Sequence, residues 1–449
     1  MPAPSSPSLK KVLRPIHLWA IAVGLVISGE YFGWNYGWAV SGTVGFLVST
    51  LVVTVMYVTF IYSFTELTTS IPHAGGPFAY AERAFGSWGG VVAGYATAVE
   101  FLVTPPAIAF ALGSYAHFLY ADLNIVAVAL ASYVVFIGIN LLGIKESAVF
   151  SLVVTVLAVA ELLIYMGLVA PSFSMDTFLT EPMPFGWYGV FAALPFAIWF
   201  YLAIEGVAMV AEETVDTHRT IYKGYAYGIG TLVALALGVM ILTGGAAPWS
   251  SVAKIDYPLP AVLAIVLGSD SAFTKLFASL GLFGLIASFH GTIIGYSRQL
   301  FALARAGYLP SFLGVVNARF QTPHWALVGG GLIGCVAVLI GRTDQIIIVA
   351  ALGAVVMYII SLLSLFVLRR NDPHLIRPFR VPFYPWFPAI ALCCSLVCLV
   401  AIVYFNLVLS LYFFGGLGFV LGIFTWMKGS GPNAILNDLN PGTRRRENP

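Results

Sequence analysis

Charged residues are scarce in this chain of 449 residues: Asp, Glu, Lys and Arg together make up 9%, whereas 60% of the residues are hydrophobic. A soluble domain carries about 25% charged residues on average. Most of the surface must therefore face lipid, which excludes a soluble enzyme and a disordered chain. The apolar runs are long and continuous rather than short and alternating, so they predict a polytopic membrane protein built entirely of α-helices.

Cysteine is also rare, and all four cysteines lie inside apolar runs without metal-type spacing: Cys335, Cys393, Cys394 and Cys398. We therefore expect no disulfide framework, no metal site and no cofactor. The net charge of +2 and the lack of a basic stripe argue against nucleic acid as a partner. The chain also lacks a Walker motif, an HExxH zinc motif and a nucleophile elbow, so an enzyme is not expected.

A spanning helix needs about 20 apolar residues. On that criterion the sequence predicts about twelve transmembrane helices, numbered here as segments 1 to 12: residues 17–39, 43–69, 90–118, 123–142, 147–170, 187–211, 224–248, 273–303, 325–342, 345–369, 386–406 and 408–427. Residues 75–88 are expected to form a short interfacial helix, and residues 251–271 the longest outer loop.

Basic residues set the expected orientation. If residues 1–14 and 428–449 are cytoplasmic tails, all of the 21 Lys and Arg except Lys254, Lys275 and Arg342 fall on the inside. We therefore expect a multi-pass protein of the cell's inner (cytoplasmic) membrane with both termini in the cytoplasm. Residues 1–14 do not resemble a cleaved signal.

Acids, in contrast, lie within the apolar segments. Glu30, Glu100, Glu161 and Glu205 fall in segments 1, 3, 5 and 6, and Glu66 lies near the inner end of segment 2. A charge at bilayer depth costs about 3 kcal/mol on insertion scales, so such residues are functional candidates. Because no Lys or Arg lies deep enough to pair with them, we expect each acid to be protonated, hydrogen-bonded or facing a cation. This pattern indicates a pathway for cations or protons.

Two segments contain signs of interruption. Residues 28–33 of segment 1 place two glycines beside Glu30, and residues 199–206 of segment 6 place aromatic bulk beside a Glu-Gly pair. Broken helices in corresponding positions mark the midplane site of many transporters. A helix-packing GxxxG motif is the alternative interpretation of Gly29 and Gly33. His290 lies halfway along segment 8, where it is either a packing residue or a coupling residue.

Several motifs together resemble those of the amino acid–polyamine–organocation superfamily. They are ISG and FGWNYG in segment 1, Glu66-Leu67 with IPHAGGPFAY, NLLGIKES, VAEET after segment 6, and SRQLFALARAGYLP followed by Thr322-Pro323. Within the superfamily the chain is most similar to the ethanolamine permeases, through ISGEYFGWNYG, VEFLVTPP, TVLAVAELL and ASFHG.

The resemblance implies a LeuT-type fold, with residues 15–170 (segments 1–5) and 187–370 (segments 6–10) as a 5+5 inverted repeat. Helices 1 and 6 would be broken and would hold the substrate together with helices 3 and 8. Residues 386–427, segments 11 and 12, lie outside the repeats, and whether they mediate a homodimer or leave a monomer stays open. The resemblance also implies secondary active transport by alternating access.

Glu30 departs from the pattern of the family's amino acid carriers, which use small residues and free amides there to hold a substrate carboxylate. A carboxylate at this position would repel an amino acid's carboxylate and attract an ammonium, which points to a small protonated amine such as ethanolamine. The helix 5 lysine of proton-coupled members aligns with Ala158, so Glu161 is either the titrating group or a residue that stabilises the core by hydrogen bonding. An amino acid or polyamine carrier remains the alternative.

The resulting expectations for the site fall into two groups. The expected substrate-binding residues are Glu30, Glu100, Ser28, Gly29, Tyr31, Trp199, Tyr201, Ser288 and Phe289. The expected residues for proton coupling or gating are Glu161, His290 and Glu205. Glu66 and Glu205 match positions that are commonly acidic across the superfamily, which favours structural or gating roles for both.

Overall fold

A computed structural model of the protein describes residues 11–142, 148–269, 271–317 and 319–427. Within these ranges the chain is helical, and the only β contact is an isolated bridge between Leu13 and Thr214. The predicted tail 428–449 and the first ten residues of the predicted tail 1–14 lie outside the described residues. We call the side of the molecule with Leu13 and Arg369 the inner side, because the sequence predicts it to be cytoplasmic.

Most of the predicted segments are single helices. Segment 2 is Trp38–Ser70, with a kink at Gly42. Segments 3–5 and 7–12 are Ser87–Leu119, Ile125–Leu141, Ala148–Val169, Thr217–Ala246, Ala272–Arg305, His324–Ile340, Thr343–Asn371, Trp386–Phe405 and Leu407–Met427. Pro77–Phe85 forms a helix within the range 75–88, and its interfacial position stays a prediction. The remaining short elements are Ala170–Ser172, Met175–Phe178, Trp249–Ser251 and Ser311–Gly314.

Segments 1 and 6 are discontinuous, as the sequence predicts. Segment 1 consists of Pro15–Val26 and Ser28–Tyr31, followed by a break at Gly33 and a 3-10 turn, Trp34–Gly37. Segment 6 consists of Gly186–Ala192 and Leu194–Trp199, then a turn, then the 3-10 helix Ile204–Glu213. Gly33 has a φ of 91° and Ala203 a φ of 74°, and this left-handed backbone interrupts both helices.

Eight helices in the described part of the chain are long and apolar enough to cross a membrane. They belong to segments 2, 3, 5, 7, 8, 10, 11 and 12. Segments 4 and 9 form helices of 17 residues, and segment 1 is shortened by its break. A total of twelve spanning helices therefore stays a prediction. The expected outer loop at residues 251–271 contains a short helix, Pro258–Leu267.

The helix contacts repeat between segments 1–5 and segments 6–10. If each segment is replaced by its counterpart five numbers away in the other set, the same pairs of neighbours are found. Segment 1 packs on segment 7, and segment 6 packs on segment 2. Segment 3 likewise packs on segment 10, and segment 8 on segment 5. An inverted repeat of five helices would give this arrangement, although the repeat itself stays a prediction. Segments 3 and 8 also contact each other, and both contact the broken parts of segments 1 and 6.

Candidate functional site

The breaks of segments 1 and 6 pack directly against each other. The indole Nε1 of Trp199 donates a 3.0 Å hydrogen bond to the carbonyl oxygen of Phe32. Gly29 lies against the carbonyl group of Trp199, and Gly33 lies against its indole ring, with no room for a side chain at either position. The two glycines therefore serve the contact between the broken helices, and Trp199 holds the break of segment 1 in place.

Glu30 lies at this junction with no exposed surface. Neither carboxylate oxygen has a hydrogen-bond partner among the described residues. The electrostatic neighbours of Glu30 include the phenol groups of Tyr31 and Tyr201. Burying a carboxyl group without donors costs several kcal/mol, so this position is poorly satisfied until a donor arrives. A cation with N–H groups is the chemical species that would satisfy it best.

The two serines that the sequence places in the substrate site are hydrogen-bonded to each other. Ser28 and Ser288 share a 2.8 Å hydrogen bond, and Ser288 also donates a 2.6 Å bond to the carbonyl oxygen of Leu25. These bonds join segment 1 to segment 8 at the level of the break. A substrate hydroxyl would have to compete with this pair.

Tyr31 points toward segment 5. Its hydroxyl donates a 2.9 Å hydrogen bond to Oε2 of Glu161 and lies 3.2 Å from the carbonyl oxygen of Ala158. The hydroxyl of Tyr115 in turn donates to the carbonyl oxygen of Tyr31 at 3.2 Å. Glu161 is thus tied to the break in segment 1 through a neutral donor, while its Oε1 has no partner among the described residues.

Glu100 and Glu205 meet on the other side of the break. Their carboxyl groups lie within hydrogen-bonding reach of each other, and both residues are fully buried. The hydroxyl of Tyr358 donates to Oε2 of Glu205 at 3.4 Å and shares a 2.7 Å hydrogen bond with the hydroxyl of Tyr57. Tyr201 extends this cluster, because its ring lies 5.0 Å from that of Tyr57.

Sequence reasoning missed Tyr57 and Tyr358. Each is a tyrosine in an apolar helix, and the chain has 22 tyrosines, so nothing in the sequence distinguishes these two. Their role depends on the packing of segments 2 and 10 around the break of segment 6. Tyr201 was expected to touch the substrate, and its hydroxyl shares a 2.7 Å hydrogen bond with Thr54.

Phe289 and His290 lie against segment 4. The ring of Phe289 packs edge-on against Tyr133 at 5.0 Å and Phe136 at 5.6 Å. His290 Nδ1 lies 3.1 Å from the amide nitrogen of Asn140. The contacts found for these two residues place them with segment 4, whereas Glu30 lies with Tyr31 and Tyr201.

Glu66 has basic partners, so the expectation that no Lys or Arg reaches these acids is wrong at this position. Arg369 donates to both carboxylate oxygens of Glu66, at 2.7 and 2.6 Å. Arg377 approaches to 3.4 Å, and the amide of Val381 donates at 2.7 Å. Both arginines lie far from Glu66 in sequence. Arg369 belongs to the last turn of segment 10, and Arg377 lies between segments 10 and 11. Glu66 is therefore a structural anchor on the inner side.

On the inner side, residues 12–13 pack against the end of segment 6, which lies below the site. The amides of Val12 and Leu13 donate to the carbonyl oxygen of Glu213, and Arg298 pairs with the Glu213 carboxylate at 3.3 Å.

On the outer side, Asp256 joins three elements. Its carboxylate accepts a 2.8 Å hydrogen bond from Tyr36 and a 2.9 Å bond from Thr343. Asn35 adds bonds of 2.6 and 2.8 Å to the carbonyl oxygens of Val252 and Ile255. Burial raises the pKa of Asp256 to about 6, although both hydroxyl donors oppose this shift. With Glu30 fully buried, both sides of the site are closed.

The comparisons with known proteins agree with a transporter. The family model described as "Amino acid permease" matches residues 13–426. An uncharacterized transporter of Rhizobium meliloti is 28% identical over 86% of this chain and 85% of its own. A branched-chain amino acid permease of Bacillus subtilis is 23% identical over 86% of each chain. A methylthioribose transporter of the same organism is 23% identical over 86% of this chain and 87% of its own.

The family consists of permeases and not of enzymes, and the matched region includes both broken helices and the acids between them. This chain is a multi-pass membrane transporter that belongs to the amino acid permease family.

Proposed function

We propose that the protein imports ethanolamine or a similar small protonated amine across the cytoplasmic membrane by alternating access, with both termini in the cytoplasm and with protons as the coupling ion. The observation that carries the substrate assignment is Glu30, a fully buried carboxyl group at the junction of two broken helices that has no hydrogen-bond donor in the described part of the chain. An ammonium group supplies both the positive charge and the N–H donors that Glu30 lacks.

The backbone around Glu30 supports an amine over an amino acid. The amide of Phe32 donates to the carbonyl oxygen of Ser28 at 3.3 Å, and the amide of Gly33 donates to Asn35 Oδ1 at 2.9 Å. These two amides are therefore already hydrogen-bonded, whereas a substrate carboxylate bound at the break would need free backbone amides. It would also lie next to the Glu30 carboxylate, and the repulsion between like charges in a buried site is strong.

Aromatic groups near Glu30 suit the organic part of a cation. Tyr201 and Tyr31 are its neighbours, and Trp199 lies across the same junction. Cation–π attraction adds about 0.5–2 kcal/mol to the binding of an ammonium. Of the two acids predicted to bind substrate, we retain Glu30 for the ammonium, because Glu100 faces Glu205.

An amino acid or polyamine substrate is the second candidate. It is favoured by the relatives' names, which include a branched-chain amino acid permease. The methylthioribose transporter is a relative of similar identity whose named substrate is not an amino acid. The family alone therefore does not select the substrate.

Uptake of labelled ethanolamine into proteoliposomes tests the proposal, with unlabelled choline, putrescine and L-amino acids as competitors. We expect saturable uptake that small amines block and L-amino acids do not. Inhibition by an L-amino acid, with no uptake of ethanolamine itself, would reject the amine and select the second candidate.

A further inference from the structure

Two buried carboxyl groups face each other where segment 6 is broken. Glu100 belongs to the continuous helix Ser87–Leu119, and Glu205 belongs to the inner half of segment 6. Both residues have no exposed surface, and their carboxyl groups lie within hydrogen-bonding reach. Neither side-chain oxygen of Glu100 nor Oε1 of Glu205 makes a hydrogen bond of good geometry among the described residues, although the backbone amide of Ala203 approaches Glu100. We call Glu100 and Glu205 the carboxyl pair.

The groups around the carboxyl pair are neutral. Tyr358 donates to Oε2 of Glu205, Tyr57 is bonded to Tyr358, and Tyr225 donates to the backbone oxygen of Glu205 at 3.3 Å. The thiol of Cys398 lies beside Tyr57. Within the described ranges no Lys, Arg or His pairs with either acid. Phenol groups donate hydrogen bonds but cannot cancel two negative charges.

We infer that the carboxyl pair binds one proton, held between the two groups, and that this proton crosses the membrane with the substrate. The inference relies on the proposed function for the identity of the substrate, whereas the proton site is argued from the carboxyl pair itself. Two adjacent carboxylates away from water and cations cannot both remain ionised, and such a pair titrates as one unit. A single proton removes the repulsion and also supplies a hydrogen bond between the two groups.

The fold provides a way to release the proton. Glu205 follows Ala203, whose left-handed backbone separates the inner half of segment 6 from the outer half. Glu100 lies on a helix without such a break in this region. When the inner half of segment 6 moves to open the inner side, Glu205 leaves Glu100 and water reaches both groups. The proton then passes to the cytoplasmic water, and the pair binds the next proton when the site is open to the outer side.

The test compares Glu100→Gln and Glu205→Gln with Glu82→Gln in proteoliposomes, using labelled ethanolamine. Glu82 lies on the short helix Pro77–Phe85 and is bonded by Tyr308, so it is a control outside the site. At zero membrane potential, one coupled proton gives about tenfold accumulation for a gradient of one pH unit. We expect this accumulation in the wild type and in Glu82→Gln. In both pair variants we expect it to fall to the level without a gradient, while ethanolamine exchange at equal pH continues.

Accumulation that persists in either pair variant would overturn the inference, and so would a loss confined to Glu161→Gln. A second readout needs no substrate: infrared spectroscopy of the purified protein detects the C=O stretch of protonated carboxyl groups. Because the proton belongs to both groups, one carboxylic acid band should change in each pair variant. A band that responds to only one of the two substitutions would contradict a shared proton. If ethanolamine is not transported, the substrate proposal fails and the infrared result still decides the proton site.

Discussion

Gly29 of segment 1 lies against the carbonyl group of Trp199 in segment 6, without space for a methyl group between them. This contact brings the two broken helices together, and it fixes the place of Glu30, the next residue. The GxxxG spacing of Gly29 and Gly33 therefore does serve helix packing, but between the two breaks rather than between lipid-facing helices.

Gly29→Ala tests this contact. Forcing extra atoms into a packed core costs about 1–3 kcal/mol, and here the obstacle is backbone that cannot rotate away. We expect a lower melting temperature and a loss of transport. Gly167→Ala is the matched control, because Gly167 is an exposed helical glycine with nothing within 4 Å of the added carbon. Equal behaviour of the two variants would show that the breaks do not pack as described.

Glu30→Gln tests the ammonium site. The amide keeps the shape of the side chain but removes the charge, and a hydrogen bond to a charged group contributes about 1.5–3 kcal/mol. We therefore expect amine affinity to fall by about ten- to a hundredfold, measured by calorimetry on detergent-solubilised protein. The melting temperature without substrate should not fall, since Glu30 accepts no hydrogen bond from any residue that the structure describes. Unchanged affinity would remove Glu30 from the substrate site.

Tyr31→Phe tests the link between segments 1 and 5. Loss of the hydroxyl leaves Oε2 of Glu161 buried without its donor, which costs about 1–3 kcal/mol. We expect a lower melting temperature, whereas Tyr120→Phe, at an exposed tyrosine, should leave it unchanged. In a Glu161→Leu background, which removes the acceptor, the effect of Tyr31→Phe should be smaller, as a double-mutant cycle would measure. Additive effects would argue against the bond.

The raised pKa of Asp256 predicts that closure of the outer side of the site depends on pH. Burial raises its pKa to about 6 in the closed structure, above its ordinary value of 3.8. The closed state therefore binds more protons than the open one between about pH 4 and 6, so closure weakens as the pH rises through this window and is constant above it. Hydrogen–deuterium exchange of residues 249–257, corrected for its intrinsic pH dependence, should become faster from pH 4 to pH 6.5.

Asp256→Asn is the control for this prediction, because an amide does not titrate but its oxygen can still accept from Tyr36. The corrected exchange of this variant should be independent of pH over the same window. An identical pH dependence in the wild type and in Asp256→Asn would assign the effect to another group, such as Asp344, which acts electrostatically on Asp256.

The sequence predicted the positions of the long helices because lipid requires continuous apolar runs whose backbone groups bond within the helix. It also predicted the breaks of segments 1 and 6, since Gly29 and Gly33 beside Glu30 are incompatible with an ordinary lipid-facing helix. The buried acids were recognisable as candidate functional residues, because a carboxyl group within an apolar segment is costly and is seldom retained without a function.

The sequence could not show which residues would pair with each other in the folded protein. Glu66 meets Arg369 across 303 positions of the chain, and Tyr57 meets Tyr358 across 301. Hydrophobic periodicity states which residues lie in a helix, but not how that helix is rotated or which neighbour it faces. The presence of acids in the membrane was thus determined by the sequence alone. Only the tertiary structure decided that Glu30 has no donor among the described residues while Glu100 and Glu205 face each other, because pairing depends on the rotation and packing of helices that are distant in the chain.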